Sequence, residues 1–224
     1  MTPRILAIDC CGPHGGIALI AGGATVEEVG LHAPEGFSHV LFAELECLLA
    51  RHGVSIRDID CFAAASGPGS FTGLRVALAA VKGLAGACGR PAVGISTLQA
   101  MAWHGTAPRR ATILDARRGE IFGALYDSRL EPVIPEGVCR PRQFVDHLPD
   151  GGCEFLSACP ALLESTLGLS AFAGMPRTIV PASLAAAVGH IGRARFVAGL
   201  AADPAALDAN YVRRSDAESS WRDF

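Results

Sequence analysis

The sequence is poor in aromatic residues and in charge. Only 6% of its 224 residues are aromatic and 18% are charged, whereas 50% are hydrophobic. A core must therefore be built mainly from alanine, valine, leucine and isoleucine, which suits closely packed α/β layers. The length allows one large domain or two lobes of about 100 residues each.

An excess of positive charge is also missing, because the formal net charge is -3 and the pI is near 6.1. A protein that binds nucleic acid by itself usually has a basic face or a high pI. We therefore expect any RNA to contact this chain only through a partner protein.

The eight cysteines include no C-x-x-C pair, and several lie in apolar runs. We expect them to be reduced thiols that act as small hydrophobic side chains in a cytoplasmic protein. The first residues lack the basic start, apolar run and cleavage site of a signal peptide. No stretch has the roughly 18 to 20 uninterrupted apolar residues of a membrane span, so no membrane association is expected.

The sequence has no acidic residue between Asp60 and Asp115, and a glycine-rich loop, SGPGSFTG, starts at Ser66 in this gap. Its spacing, G-x-G-x-x-x-G, differs from the dinucleotide fingerprint, and no acid follows at the required distance. A P-loop needs Lys after its last glycine, where this chain has Leu74. Neither nucleotide-binding motif is present.

Nucleophile and metal motifs are missing as well. Ser70 has Pro68 and Thr72 at the positions that a nucleophile elbow fills with glycine. His39 lies on a predicted helix, but Ala43 occupies the position of a second metal-binding histidine. The sequence therefore predicts no metal site and no catalytic residue.

The hydrophobic pattern predicts an α/β order of elements. The predicted strands are residues 4–9, 17–20, 25–32, 59–65, 91–95, 111–115 and 121–126. The predicted helices are residues 38–52, with Ser38 as N-cap, 70–88, 97–103, 141–147, 160–167 and 183–201. The polar end from residue 213 is expected to be frayed or partner-dependent.

One arrangement, a strand that ends on an aspartate followed by a turn and a second strand, occurs twice, at Asp9 and at Asp115. It predicts two related lobes, residues 1–103 and 104–224, with a hinge near 103–110 and a tail that can pack back on the first lobe. The two carboxylates could hold a Mg²⁺-bound phosphate between the lobes. Alternatively, each accepts hydrogen bonds from its own turn amides, which we favour for Asp9 and leave open for Asp115. The candidate nucleotide cleft consists of Asp9, Gly67, Gly69, Ser70, Asp115, Arg117 and Glu120.

The helices predicted at 38–52 and 70–88 each have two apolar faces. The first has an arc of Leu41, Phe42, Leu45, Leu48 and Leu49 and another of Val40, Ala43, Cys47 and Ala50. The second has a bulky arc and a small-residue stripe of Val76, Ala80, Gly83 and Ala87. Either one chain buries all of these faces, or they form a docking face able to bury about 1,600 Å² against a second subunit.

Six stretches together resemble the TsaB (YeaZ) family. They are residues 5–9 (ILAID), 38–39 (SH), 67–75 (GPGSFTGLR), 94–98 (GISTL), 115–122 (DARRGEIF) and 211–213 (YVR). The resemblance implies a two-lobed, actin-like and ribonuclease H-like fold, as in sugar kinases. It also implies a part in the bacterial synthesis of threonylcarbamoyladenosine next to the tRNA anticodon.

In such a family the chain would be a non-catalytic subunit that pairs, through these two helices, with a TsaD-type catalytic paralogue. The resemblance also implies a TsaE-type P-loop ATPase as a partner, a homodimer when the chain is alone, and no resident cofactor beyond ATP or ADP at an interface of the complex. The implied partner-binding residues are Ser38, His39, Phe42, Leu45, Leu49, Phe71, Thr72, Arg75, Val76, Ala80 and Gly83. The alternatives are an ATP-dependent phosphotransferase or ATPase of the same superfamily and, following an older label of relatives, a glycoprotease-type peptidase.

Overall fold

The computed structural model describes residues 2–168 and 172–212, so the predicted tail from residue 213 lies outside the described residues. The strands are β1 Ile5–Asp9, β2 Gly15–Ala21, β3 Ala24–Leu31, β4 Cys61–Ala65, β5 Ala92–Ile95, β6 Arg109–Asp115, β7 Ile121–Asp127, β8 Pro132–Cys139, β9 Glu154–Ser157 and β10 Arg177–Ile179. The helices are α1 Leu41–Arg51, α2 Phe71–Cys88, α3 Thr97–Ala102, α4 Pro141–Asp146, α5 Pro160–Leu167 and α6 Ala185–Val197.

Two five-stranded sheets share one topology. Their orders are β3-β2-β1-β4-β5 and β8-β7-β6-β9-β10. In the first, β1 is antiparallel to β2 and parallel to β4, and in the second β6 is antiparallel to β7 and parallel to β9. The repeated strand, aspartate, turn, strand pattern therefore corresponds to a repeated lobe, as the sequence predicts.

The first sheet lies between helices. Every residue of β1 and β4 is buried, as expected for central strands covered on both faces. Helix α2 packs on β1 and β4, and α6 packs on β1, β2, β4 and β5. Gly189 allows the close approach of α6, because a Cβ atom there would meet the Ile20 side chain at 2.5 Å.

The position of α6 corrects the predicted lobe boundary. This helix follows the second sheet in sequence, but it covers the first sheet. The assignment of all residues 104–224 to the second lobe is therefore wrong for α6. After α6, Ala202 pairs with Ala92 of β5, so this part of the segment also lies on the first sheet.

Helix α1 starts later than predicted. Residues Phe37–His39 form a short 3-10 turn, and Val40 precedes the helix without a side-chain cap. The prediction that Ser38 caps this helix is therefore wrong. Helix α2 starts as predicted, with Ser70 Oγ accepting a hydrogen bond from Gly73 N at 3.3 Å.

Helix α2 is 18 residues long and has a mean hydropathy of 1.3, so length and composition alone would let it cross a membrane. Core helices of soluble proteins meet the same criterion, so this is weak evidence, and one face of α2 packs on β4.

Candidate functional site

Asp9 is buried at the end of β1, and both of its carboxylate oxygens accept hydrogen bonds from backbone amides. Oδ1 accepts from Cys11 N at 2.9 Å, within its own turn. Oδ2 accepts from Leu184 N at 3.1 Å, immediately before α6. The bond from Cys11 N confirms the interpretation of Asp9 as an acceptor within its own turn. The bond from Leu184 N was not predicted, and it joins β1 to the start of α6.

Burial raises the pKa of Asp9, while its hydrogen bonds from the amides of Cys11 and Leu184 act in the opposite direction. The nearby carboxylate of Glu28 raises the pKa further. Glu28 Oε1 itself accepts from Ser183 Oγ at 2.7 Å and Ala186 N at 3.1 Å. Two acidic side chains therefore lie at the amino end of α6, where a helix dipole favours negative charge.

The glycine loop packs against the turn that follows β1. Ser70 N donates to Cys11 O at 2.8 Å, and a Cβ atom at Gly73 would clash with Cys10 O. A Cβ atom at Gly69 would clash with Cys11 O. Close packing of two backbone segments thus accounts for the glycines without a ligand.

The remaining side of the glycine loop contacts the segment after α6 and the start of α3. Asn210 N donates to Ser66 O at 2.7 Å, and Thr97 N donates to Gly67 O at 2.8 Å. Of the candidate cleft residues, Gly69 and Ser70 therefore contact the turn that holds Asp9, and Gly67 contacts the start of α3.

Asp115, Arg117 and Glu120 lie together in the turn between β6 and β7. Asp115 Oδ1 accepts from Arg117 N at 2.7 Å, and Glu120 N donates to Arg117 O at 3.1 Å. The Asp115 side chain is 49% exposed, in contrast to Asp9. Asp115 also accepts a bond from its own turn, but it remains accessible. Among residues 2–168 and 172–212, no three His, Cys, Asp or Glu side chains are grouped so that they could hold a metal ion.

A cavity of about 700 Å³, which the sequence did not predict, opens between the lobes. Its walls include Gln99, Trp103, Tyr126, Glu136, Arg195 and Asn210, but neither Asp9 nor Asp115. Several of these polar side chains bind one another. Glu136 accepts from Tyr126 Oη at 2.5 Å and from Asn210 Nδ2 at 2.6 Å, and burial, followed by the charge of Glu136, raises the pKa of Tyr126. These bonds connect β7 and β8 to the segment after α6.

The two-faced helices divide between core and surface. Leu45, Leu49 and Ala80 are each only 6% exposed. The prediction that these three residues belong to a docking face is wrong. Their side chains are buried within this chain, where α1 packs on β2 and β3 and α2 packs on β4.

The other predicted docking residues remain accessible. Phe42 is 52% and Phe71 is 43% exposed, which is high for large apolar side chains. Ser38, His39, Thr72, Arg75 and Gly83 are exposed, and Val76 is partly exposed. We call the following residues the exposed helix face: His39, Phe42, Ala43, Glu46, Cys47 and Ala50 around α1, and Phe71, Thr72, Arg75, Val76, Ala79 and Gly83 on α2. We call its α1 part and its α2 part the two stripes of this face. The turn Phe37–His39 contacts α2, so the two stripes meet near the amino end of α1.

Tyr211 joins this surface from the segment after α6. Its ring centroid lies 5.8 Å from that of Phe71, and Arg75 Nε donates to its hydroxyl at 3.4 Å. The Arg75 guanidinium carbon lies 3.8 Å from the centroid of the Phe71 ring. The resemblance included residues 211–213, but nothing in their pattern placed Tyr211 next to α2.

The family model for TsaD, "tRNA N6-adenosine threonylcarbamoyltransferase", matches residues 32–166, which is more than half of the chain. The TsaB protein of Escherichia coli is 35% identical over 127 residues, which cover 55% of this chain and 54% of that protein. The TsaB protein of Bacillus subtilis is 28% identical, with 97% of both chains covered. The chain belongs to the TsaB (YeaZ) family, within the wider TsaD family.

The predicted membership is thus confirmed, and solved structures agree with the fold of this TsaB family chain. A Pseudomonas aeruginosa protein described as similar to "peptidase YEAZ" has a TM-score of 0.76 at 25% identity and covers 94% of this chain and 100% of its own. YeaZ from the same organism has a TM-score of 0.77 at 22% identity. Together with the two repeated sheets, these likenesses confirm the predicted two-lobed α/β fold and show that solved YeaZ structures share it. The chain spans about half the length of the E. coli relative and nearly all of the B. subtilis relative.

Proposed function

We propose that this TsaB family chain is a non-catalytic scaffold subunit in the biosynthesis of tRNA threonylcarbamoyladenosine. In this proposal it binds a TsaD-type catalytic paralogue and stabilises the competent conformation of that partner. Such binding can shift the partner only by the difference between its affinities for the two conformations. The names of the E. coli and B. subtilis relatives support the pathway.

The exposed helix face carries the proposal. Phe42 and Phe71 are each about half exposed among small side chains, so a partner can approach both helix backbones closely. Covering the remaining exposed surface of each ring would contribute about 1 kcal/mol from the hydrophobic effect alone. Aromatic and arginine side chains are also the types that most often dominate binding energy at interfaces.

The surroundings of Asp9 support a non-catalytic role. In an ATPase of this architecture the first aspartate would have to reach a metal-bound phosphate. Here both oxygens of Asp9 accept bonds from buried backbone amides, and the side chain is 2% exposed. Metal binding there would break bonds that anchor α6.

We place the complex in the cytoplasm, where its tRNA substrate resides, and include a TsaE-type ATPase and, for the isolated chain, a homodimer. The cysteines are free thiols, as a reducing compartment requires. Burial raises the pKa of Cys10 and Cys61 to about 12, so these thiols stay protonated and unreactive at neutral pH.

The test is co-purification with the catalytic paralogue from the same organism, together with threonylcarbamoyl transfer by the reconstituted complex. Phe42→Glu should weaken complex formation by more than about tenfold, because it places a charge in the interface. Val133→Glu is the matched control, since Val133 is 51% exposed but lies on β8 in the second lobe. Transfer by the isolated chain, or equal binding by both variants, would contradict the proposal.

A further inference from the structure

Each stripe of the exposed helix face contains one charge whose sign is opposite to that of the other. On α1, Glu46 is exposed among Phe42, Ala43, Cys47 and Ala50. On α2, Arg75 is exposed between Thr72 and Ala79. In the part of the chain that the structure describes, neither side chain has an ion-pair partner within 4.0 Å. Both charges are therefore available to a molecule that covers this face.

Arg75 is already held in one orientation. Its guanidinium carbon lies 3.8 Å from the centroid of the Phe71 ring, and its Nε donates a hydrogen bond to the hydroxyl of Tyr211 at 3.4 Å. The two terminal nitrogens have no hydrogen-bond partner among the described residues. A planar guanidinium with both terminal nitrogens available matches the two oxygens of a carboxylate. Because the fold already restricts this flexible side chain, less entropy is lost when a carboxylate binds.

Glu46 restricts what can cover the face. Burying an unpaired carboxylate costs several kcal/mol, so a partner must bring a cation to Glu46 and an anion to Arg75. A second copy of this chain has both groups. In a two-fold interface the same contact occurs twice, which would satisfy all four charges.

We propose that the cluster of Phe71, Arg75 and Tyr211 is a carboxylate receptor, and that its occupant in the self-associated protein is Glu46 of the partner subunit. The reciprocal pair forms across the two-fold axis. The inference rests on the proposed docking role of this face and adds the specific contact that sets its register. Tyr211 acts as a positioning residue, because it orients Arg75.

A charge-swap experiment on the full chain tests the pair. Sedimentation velocity gives the dimer dissociation constants of the wild type, Arg75→Glu, Glu46→Arg and the double variant. Each single reversal should raise the dissociation constant by more than about 100-fold, because it places like charges together at two symmetric contacts. The double variant should return to within about tenfold of the wild type.

Two controls separate this contact from general charge effects. Arg57→Glu matches Arg75→Glu, and Glu164→Arg matches Glu46→Arg, at exposed positions outside the exposed helix face. Both should leave the dimer dissociation constant within about twofold of the wild type. Tyr211→Phe keeps the ring but removes the hydroxyl, and should weaken the dimer about threefold to tenfold. Its unfolding midpoint should equal that of the wild type at a protein concentration at which both are monomeric.

The failure of this contact can be told apart from the failure of the docking role. If the double variant is as weak as the single ones, or the wild type is monomeric, the Arg75–Glu46 contact is wrong. The docking role would still stand if Phe42→Glu weakened binding to the catalytic paralogue and Val133→Glu did not.

Discussion

Replacing Asp9 by alanine should destabilise the first lobe, because two buried amides would lose their acceptor. The carboxylate accepts from Cys11 N at 2.9 Å and from Leu184 N at 3.1 Å. Each unsatisfied buried amide costs about 1–3 kcal/mol. The variant no longer has to bury a carboxylate, which offsets part of the loss. We expect Asp9→Ala to lower the free energy of unfolding by about 2–3 kcal/mol.

Asp9→Asn should lie between the wild type and the alanine variant. The amide oxygen of asparagine can accept from one of the two backbone groups, but its NH₂ group faces the other donor. We therefore expect a loss of about 1–2 kcal/mol. Asp115→Ala is the matched control, because that carboxylate is 49% exposed and bonds within its own turn. Its cost should stay below about 1 kcal/mol.

The pH dependence of stability provides a second measurement on the same carboxylate. Burial raises the pKa of Asp9 in the folded protein above the ordinary value of 3.8. The folded state then binds this proton more tightly than the unfolded state does. The contribution of this difference in pKa to the free energy of unfolding is fully present below the pKa of Asp9 in the unfolded state. It is lost as the pH rises through the pKa of Asp9 in the folded state. The stability advantage of the wild type over Asp9→Asn should therefore decrease with rising pH in this window.

Urea denaturation followed by far-ultraviolet circular dichroism measures these differences. A variant that unfolds at the wild-type urea concentration would contradict the assignment of Asp9 as the acceptor that anchors α6. If Asp9→Ala also removed a measurable affinity for Mg-ATP, the carboxylate would be a metal ligand instead of a structural group.

The remaining predictions concern the buried and exposed faces of α1 and the carboxylate of Asp115. Leu45→Asp should lower the free energy of unfolding by more than about 3 kcal/mol, because it buries a charge at a position that is 6% exposed. Phe42→Asp should stay within about 1 kcal/mol of the wild type in the same urea titration, made at a protein concentration low enough for the chain to be monomeric. Equal losses would contradict the assignment of the two residues to core and surface. Isothermal calorimetry of the isolated chain should detect no micromolar binding of Mg-ATP. Micromolar binding that Asp115→Ala removes would favour the phosphotransferase alternative.

Local pattern was sufficient where a segment had one strong period or a clear end signal. The apolar runs of β1 and β4, the start of α2 next to Ser70 and the proline starts of α4 and α5 were predicted and are observed. The strand β8 was missed because it contains Pro132 and Pro135, which usually argue against a strand. It lies at the edge of its sheet, where missing amide donors are tolerated.

The candidate site was predicted only in part. The sequence singled out Asp9 and the glycine loop, but it could not show that Leu184 donates to Asp9 from a position 175 residues further along the chain. Helical periodicity found two apolar faces on α1, but periodicity is the same for a face that meets a sheet and one that meets a partner. Only the packing of α1 on β2 and β3 separates Leu45 from Phe42.

By itself, the sequence determined the α/β class, the two-fold repetition of strand, aspartate and turn, and the absence of nucleotide and metal motifs, because each of these depends on neighbours along the chain. Only the tertiary structure decided that α6 returns to the first sheet, that a cavity opens between the lobes and that Tyr211 lies against Arg75 and Phe71. These contacts join residues far apart in sequence. Their positions follow from the mutual packing of sheets and helices, which no local pattern records.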